Sequence, residues 1–174
     1  MPHVKFSAIL WIVLFLFLLI GLPAIQLVRQ GIAIRKLRRP KALFSLGSTI
    51  LALSAATCGY IFNMGWIRVI LLWLGVPFFH GNFFIFVAGR LMLRVPDTRK
   101  KKMFTALLSV SYAAPYLFLP DGGDTGDSYM FFGLLPGDHF LGALVLPMFV
   151  LNLVLSLYVL AVTVKKKKAS EPDT

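Results

Sequence analysis

Apolar residues fall in five long runs separated by short charged or polar stretches, and this alternation dominates the chain. The runs cover Phe6 to Val28, Ala42 to Phe62, Ile67 to Gly89, Met103 to Leu119 and Phe140 to Val164. A helix crosses a hydrocarbon core of about 30 Å with roughly 17 to 25 predominantly apolar residues, so each run predicts one transmembrane helix. The second run stops at the turn Asn63-Met64-Gly65-Trp66, and Pro120 with an Asp/Gly stretch closes the fourth. The fifth reads as unbroken into Lys165, Lys166, Lys167 and Lys168. The expected fold is an all-α membrane protein, a single domain over 1–174 built as a bundle of five transmembrane helices. It carries an external loop at 120–139 and a basic tail at 165–174.

The basic residues orient this bundle. Lys and Arg in short loops are retained on the cytoplasmic side. Sixteen of the 18 lie in three segments: Arg29 to Lys41, Arg90 to Lys102, and the lysine tail. Five spans put all three on one side, with the amino terminus outside and the carboxyl terminus cytoplasmic, whereas four or six spans would separate the tail from the first loop. Lys5 and Arg68 are the two left outside. The start of the chain also imitates a cleavable signal, with Lys5, an apolar run and Gly21-Leu22-Pro23-Ala24. Cleavage there would export the Arg-rich stretch that follows, so a retained span is expected.

Composition narrows the functional classes. The chain is 58% hydrophobic and 14% charged, against about 45–50% and 25% in soluble domains. That excess of apolar surface excludes a soluble enzyme and a disordered tail, and the single cysteine, Cys58, excludes a disulfide scaffold. The net charge of +11 fits an anionic leaflet, where each cation near the surface contributes up to about 1 kcal/mol. Anionic lipid headgroups are therefore the expected cytoplasmic partners, and nucleic acid is not expected, because a charge run carries no specificity.

Within lipid, helices associate through close packing and hydrogen bonds, which favours small residues at interfaces. The second run supplies a stripe at helical spacing, Ser48, Ala52, Ala55, Ala56 and Gly59, expected to be buried against another helix of the same chain or of a copy in a homo- or hetero-oligomer. Pro23, Pro77, Pro115 and Pro147 lie in four of the five runs and predict kinks. Membrane helices tolerate proline, so these kinks argue only weakly for a transport pathway.

Polar groups at mid-depth must find partners. The third run carries His80-Gly81-Asn82 near its centre and the fifth carries Asn152 at its midpoint, so His80, Asn82 and Asn152 form an expected mid-membrane polar layer. It reads either as interhelical bonding or as a proton- or ligand-sensitive histidine in a small cavity. No catalytic set assembles around it: no Asp or Glu lies within a run, and the other histidines, His3 and His139, fall at or beyond the outer ends. Haem is not expected, since a bis-histidine site needs a second axial ligand. No enzymatic activity is expected. Cys58 has no partner in this pattern and reads as a packing residue.

The external loop holds Asp121, Asp124 and Asp127 among glycines, followed by Met130-Phe131-Phe132-Gly133-Leu134-Leu135. The Asp/Gly stretch is a candidate site for a divalent cation, although its spacing does not match an EF-hand, and a plain solvated turn is the alternative. Phe131, Phe132 and Leu134 are expected to sit in the outer interface or to dock on a partner, as exposed apolar patches usually do. The leading functional reading is a non-enzymatic polytopic protein of the plasma or bacterial inner membrane. It would act through contacts as a subunit, sensor or immunity-type factor of an assembly. The alternative is a small transporter or channel subunit using the polar layer.

Overall fold

The computed structural model describes residues 21–37, 42–62, 65–122, 128–131, 134–136 and 139–168. Seven helices carry most of them: α1 Leu22–Lys36, α2 Leu43–Phe62, α3 Trp66–Trp73, α4 Val76–Arg94, α5 Arg99–Phe118, α6 His139–Ala143 and α7 Val145–Lys168. Three short strands, β1 Asp121–Gly122, β2 Ser128–Met130 and β3 Leu135–Pro136, pair antiparallel in that order in the segment read as an open loop. Tyr129 faces Asp121 on one side and Pro136 on the other. The architecture is helical, and among the described residues three helices are long and apolar enough to cross a membrane: α2, α4 and the stretch Leu141–Val164.

The helix boundaries correct several sequence expectations. The third run is not one helix. It breaks at Gly75, whose φ of +69° lies in the left-handed region that a glycine after a helix C-terminus adopts readily. Pro77 follows in the first turn of α4, where a missing N–H costs nothing. The fifth run carries one turn residue, Leu144, between α6 and α7, across which Leu141–Val164 still forms one membrane-length stretch, with Pro147 as the third residue of α7. Pro23 likewise lies in the first turn of its helix. Among the described residues, Pro115 in α5 is the proline that lies beyond the first turn of its helix.

The ends of the first and fourth runs shift as well. Residues 1–20, most of the first run, lie outside the described residues, while α1 continues through Arg29 to Lys36 across the first part of the expected loop. Arg35 and Lys36 in its last turn face the negative end of the helix dipole. Helix α5 starts four residues before the fourth run, because Thr98 caps it by accepting from the Lys101 N–H at 3.2 Å. Its first turn thus carries Arg99, Lys100, Lys101 and Lys102, and its apolar part begins at Met103.

The contacts set the helix directions. Ser45 lies beside Thr105, Ser48 beside Ser109 and Gly59 beside Tyr116, so α2 and α5 run parallel. Phe84 stacks on Tyr112, with ring centroids 4.1 Å apart, and Met92 meets Lys101, so α4 runs antiparallel to α5. Phe104 stacks on Tyr158 while Leu108 meets Asn152, so α7 is antiparallel to α5 too. Gln26 meets Asn82 and Gln30 meets Ile85, which sets α1 parallel to α4. The carboxyl ends of α1, α4 and α7 and the amino ends of α2 and α5 therefore share one end of the bundle. The Arg90-to-Lys102 cluster and the end of α7 lie there.

Helix α5 is the hub, packing on α2, α4 and α7. Its face toward α2 is polar at the basic end and small elsewhere. The Thr105 hydroxyl donates to the Lys101 carbonyl at 3.0 Å, leaving its oxygen to accept from Ser45 at 3.2 Å. Ser48 donates to Ser109 at 2.9 Å. Farther along, Ala52, Ala56 and Gly59 are buried and Ala55 is half-buried. The predicted stripe thus packs within the chain, most of it against α5.

The close approach at Gly59 is strict. A Cβ there would stand 3.0 Å from the Tyr116 carbonyl oxygen, a backbone atom, and 3.0 Å from the Leu117 side chain. At Gly47, a Cβ would meet nothing within 4 Å. Replacing Gly59 by Ala is expected to destabilise the purified protein by about 1–3 kcal/mol, the usual cost of overpacking, whereas Gly47→Ala leaves stability unchanged or raises it slightly. Thermal unfolding in detergent checks the pair; equal effects would contradict the α2–α5 contact.

Candidate functional site

Of the polar groups foreseen at mid-depth, Asn152 stands at the middle of the Leu141–Val164 stretch, while His80 is the fifth residue of α4, which begins at Val76. Helices α4, α5 and α7 converge on these two residues. The Asn152 amide nitrogen donates to the Leu108 carbonyl at 2.9 Å and to the Ser111 hydroxyl at 3.1 Å. A backbone carbonyl only accepts, so the atom facing it is the amide nitrogen and the one facing His80 is the oxygen. That oxygen stands 3.0 Å from His80 Nε2. An amide oxygen also only accepts, so Nε2 carries the proton. In the neutral ring Nδ1 is then an acceptor, and the Tyr116 hydroxyl donates to it at 2.8 Å. The protein thereby selects one tautomer of His80.

Aromatic rings wall this chain of bonds. The His80 ring centroid lies 4.6 Å from that of Phe149, 4.8 Å from Tyr112 and 5.7 Å from Tyr116, at tilts of 39–49°. Gly81 lets α4 approach: a Cβ there would be 3.2 Å from the Tyr112 hydroxyl. Tyr112 and Tyr116, one turn apart on α5, present both rings to α4.

Asn82 belongs elsewhere. Its oxygen accepts from Gln26 Nε2 at 3.0 Å and its nitrogen donates to the Phe78 carbonyl at 2.9 Å, so it joins α1 to α4. One turn farther on, Gln30 Nε2 donates to the Ile85 carbonyl at 2.8 Å through the notch left by Gly89, whose Cβ would otherwise strike it. The expected layer is therefore two separate helix junctions: His80 with Asn152, and Asn82 with Gln26.

Two buried cations, which sequence reasoning did not assign, close the ends of the bundle. Arg68 of α3 is fully buried. Its guanidinium donates to the Gly59 carbonyl of α2, to the Tyr116 carbonyl at 3.0 Å and to the Leu119 carbonyl at 2.8 Å. The Tyr60 hydroxyl donates back to the Arg68 carbonyl. A cation thus sits at the negative ends of two helices, where dipole and free carbonyls both favour it. At the basic end, Lys101 Nζ donates to the Met92 and Val95 carbonyls at 3.0 and 3.1 Å and pairs with Asp97 at 2.7 Å, closing α4. One signal for Arg68 was present in the sequence: it is the one basic residue within the third run that breaks the charge asymmetry.

The segment expected to form the external loop is placed in part. Phe131 has φ +51°, its N–H donates to the Leu117 carbonyl at 2.7 Å, and its ring stacks on Phe118 at 5.8 Å. It therefore docks on α5 of its own chain, while Leu134 is exposed. Phe132, Asp124 and Asp127 lie outside the described residues, and for Asp121 only the backbone pairing is defined. Among the described residues no group of three or more His, Cys, Asp or Glu side chains could hold a metal ion. Cys58 is half-buried and unbridged. No family model, curated protein or solved structure matches the chain.

The His80–Asn152 bond is testable as a coupling. Replacing His80 by Phe keeps an aromatic ring but orphans the Asn152 oxygen, and Asn152→Leu removes all three hydrogen bonds of the amide, to His80, Leu108 and Ser111. The double-mutant cycle on unfolding free energy is expected to give a coupling of roughly 0.6 to 1.7 kcal/mol, the range for buried interhelical hydrogen bonds in membranes. His80→Gln, which can donate and accept at similar reach, should retain more stability than His80→Phe. A coupling of zero would contradict the bond.

Proposed function

We propose that this chain is a five-span, non-enzymatic integral membrane protein of a plasma or bacterial inner membrane, with its amino terminus outside and its carboxyl terminus cytoplasmic. It works by contact, as a subunit, sensor or immunity-type factor of a larger assembly. The helix directions support the topology, since the basic clusters gather at one end of the bundle and face the anionic leaflet. The runs at 6–28 and 103–119 complete the five spans with those that hold α2, α4 and α7.

The observation that carries the contact reading is the use of the buried amide and imidazole. Both Asn152 amide hydrogens, the Asn152 oxygen and both His80 ring nitrogens are engaged with this chain's own atoms. Groups spent on joining α4, α5 and α7 are not offered to a passing solute, so the polar junction supports a fixed scaffold over a pathway. The residues exposed along α7, among them Leu146, Val150, Val154 and Leu157, provide apolar surface for lipid or for a neighbouring helix.

Cross-linking in native membranes, followed by purification in mild detergent, tests this reading. A stoichiometric companion, either another protein or a second copy, is the expected result. A chain that stays monomeric under all conditions, and that moves protons or a solute across reconstituted vesicles in a manner abolished by Asn152→Leu, would overturn it in favour of transport.

A further inference from the structure

Helix α3 lies across the outer end of the bundle. Near its start Arg68 is tied to the carbonyls of Gly59, Tyr116 and Leu119, which mark the ends of α2 and α5. At its far end the left-handed turn at Gly75 leads into α4, whose fifth residue, His80, already meets the Tyr116 hydroxyl. Both ends of α3 are thus held at the level where α5 terminates, and β1, which follows α5, packs against it. Eight residues make a helix of about 12 Å, too short to cross the hydrocarbon.

The two faces of α3 differ completely. Arg68 turns inward and is fully buried, whereas Trp66 is 63% exposed, Ile70 55%, Trp73 88% and Leu74 66%. Trp66, Ile70 and Trp73 follow the i, i+4, i+7 spacing of a single helix face. Ile61 and Phe62 at the end of α2 and Phe79 in the first turn of α4, which flank α3 in the chain, are exposed as well, and α2 and α4 are both long and apolar enough to cross a membrane. Indole rings favour the headgroup level, where an apolar body and an N–H donor are both accommodated.

We infer that α3 is an interfacial helix, its Trp66–Ile70–Trp73 face laid into the outer leaflet at headgroup depth. Its partner is the lipid surface itself. The inference rests on the membrane reading above and adds a depth and a role: Arg68 fastens the helix to the bundle from below while the tryptophans fasten it to the membrane from above. Because α3 joins α2 to α4, it sets the level at which both helices meet the bilayer surface.

Two single-tryptophan proteins test the depth: Trp11→Phe with Trp66→Phe, leaving Trp73, and Trp11→Phe with Trp73→Phe, leaving Trp66. Each full-length protein is reconstituted into phosphatidylcholine vesicles containing nitroxide lipids labelled either near the headgroup or near the acyl-chain end. The inference expects the shallow label to quench at least about twofold more strongly than the deep one. Quenching dominated by the deep label would place α3 in the hydrocarbon. Quenching by aqueous acrylamide alone would place it in water, and quenching by neither would place it under another protein; each of these overturns the inference. If one variant fails to reconstitute, the other carries the measurement. Failure of the membrane reading is recognised separately, because the protein would then not float with the vesicles.

Discussion

A guanidinium withdrawn from water must be solvated by the protein that encloses it, and the carbonyls around Arg68 do this at the ends of two helices. Moving an ion of that size into a low-dielectric interior costs several kcal/mol even after relaxation. That cost is offset only if hydrogen-bond acceptors are already converged. Gly59, Tyr116 and Leu119 supply them, which requires α2 and α5 to terminate side by side and to approach closely at Gly59. Once they do, Ala52 and Ala56 are brought against α5, and the hydroxyl pairs Ser45–Thr105 and Ser48–Ser109 come into register at the other end.

The remaining helices are placed by the same requirement at smaller scale. Apolar side chains gain little by leaving lipid for one another, so polar groups with one satisfactory arrangement carry the specificity. Asn152 locates α7 on α5 through Leu108 and Ser111, and His80 locates α4 on both. Gln26 and Gln30 locate α1 on α4. Lys101 mirrors Arg68 at the opposite end, holding the last carbonyls of α4 beside the first turn of α5. A double-sided closure of this kind needs no large apolar core, and the many exposed Leu, Ile and Val residues agree with that.

What the sequence revealed follows from the range of the interactions involved. Hydropathy is a property of the segment, so the runs that become α2 and α5 and the end of α4 at the second basic cluster were legible within a few residues. The small-residue stripe was legible because small side chains at helical spacing can serve little besides close approach. The break at Gly75 was present as Gly-Val-Pro, but the apolar run passing through it outweighed the turn signal. The assignment of Asn82 to the His80 layer failed because residues two apart on a helix point to different faces; depth alone does not decide partnership. Arg68 was visible as an exception to the charge pattern. Its acceptors come from Gly59, nine residues back, and from Tyr116 and Leu119, 48 and 51 residues on, and no local pattern announces such a convergence.

The central claim is that a buried cation at paired helix ends organises the bundle, and thermal unfolding of Arg68 variants in detergent tests it most directly. Arg68→Met removes the donors and leaves buried carbonyls unpaired, at about 1–3 kcal/mol each, and Arg68→Lys restores one charge on a shorter reach with a single donor centre. The account predicts the order Arg, then Lys, then Met, with Arg68→Met melting more than about 5 °C below the parent or failing to fold while Arg68→Lys remains measurable. A melting temperature for Arg68→Met equal to or above that of the parent would contradict it.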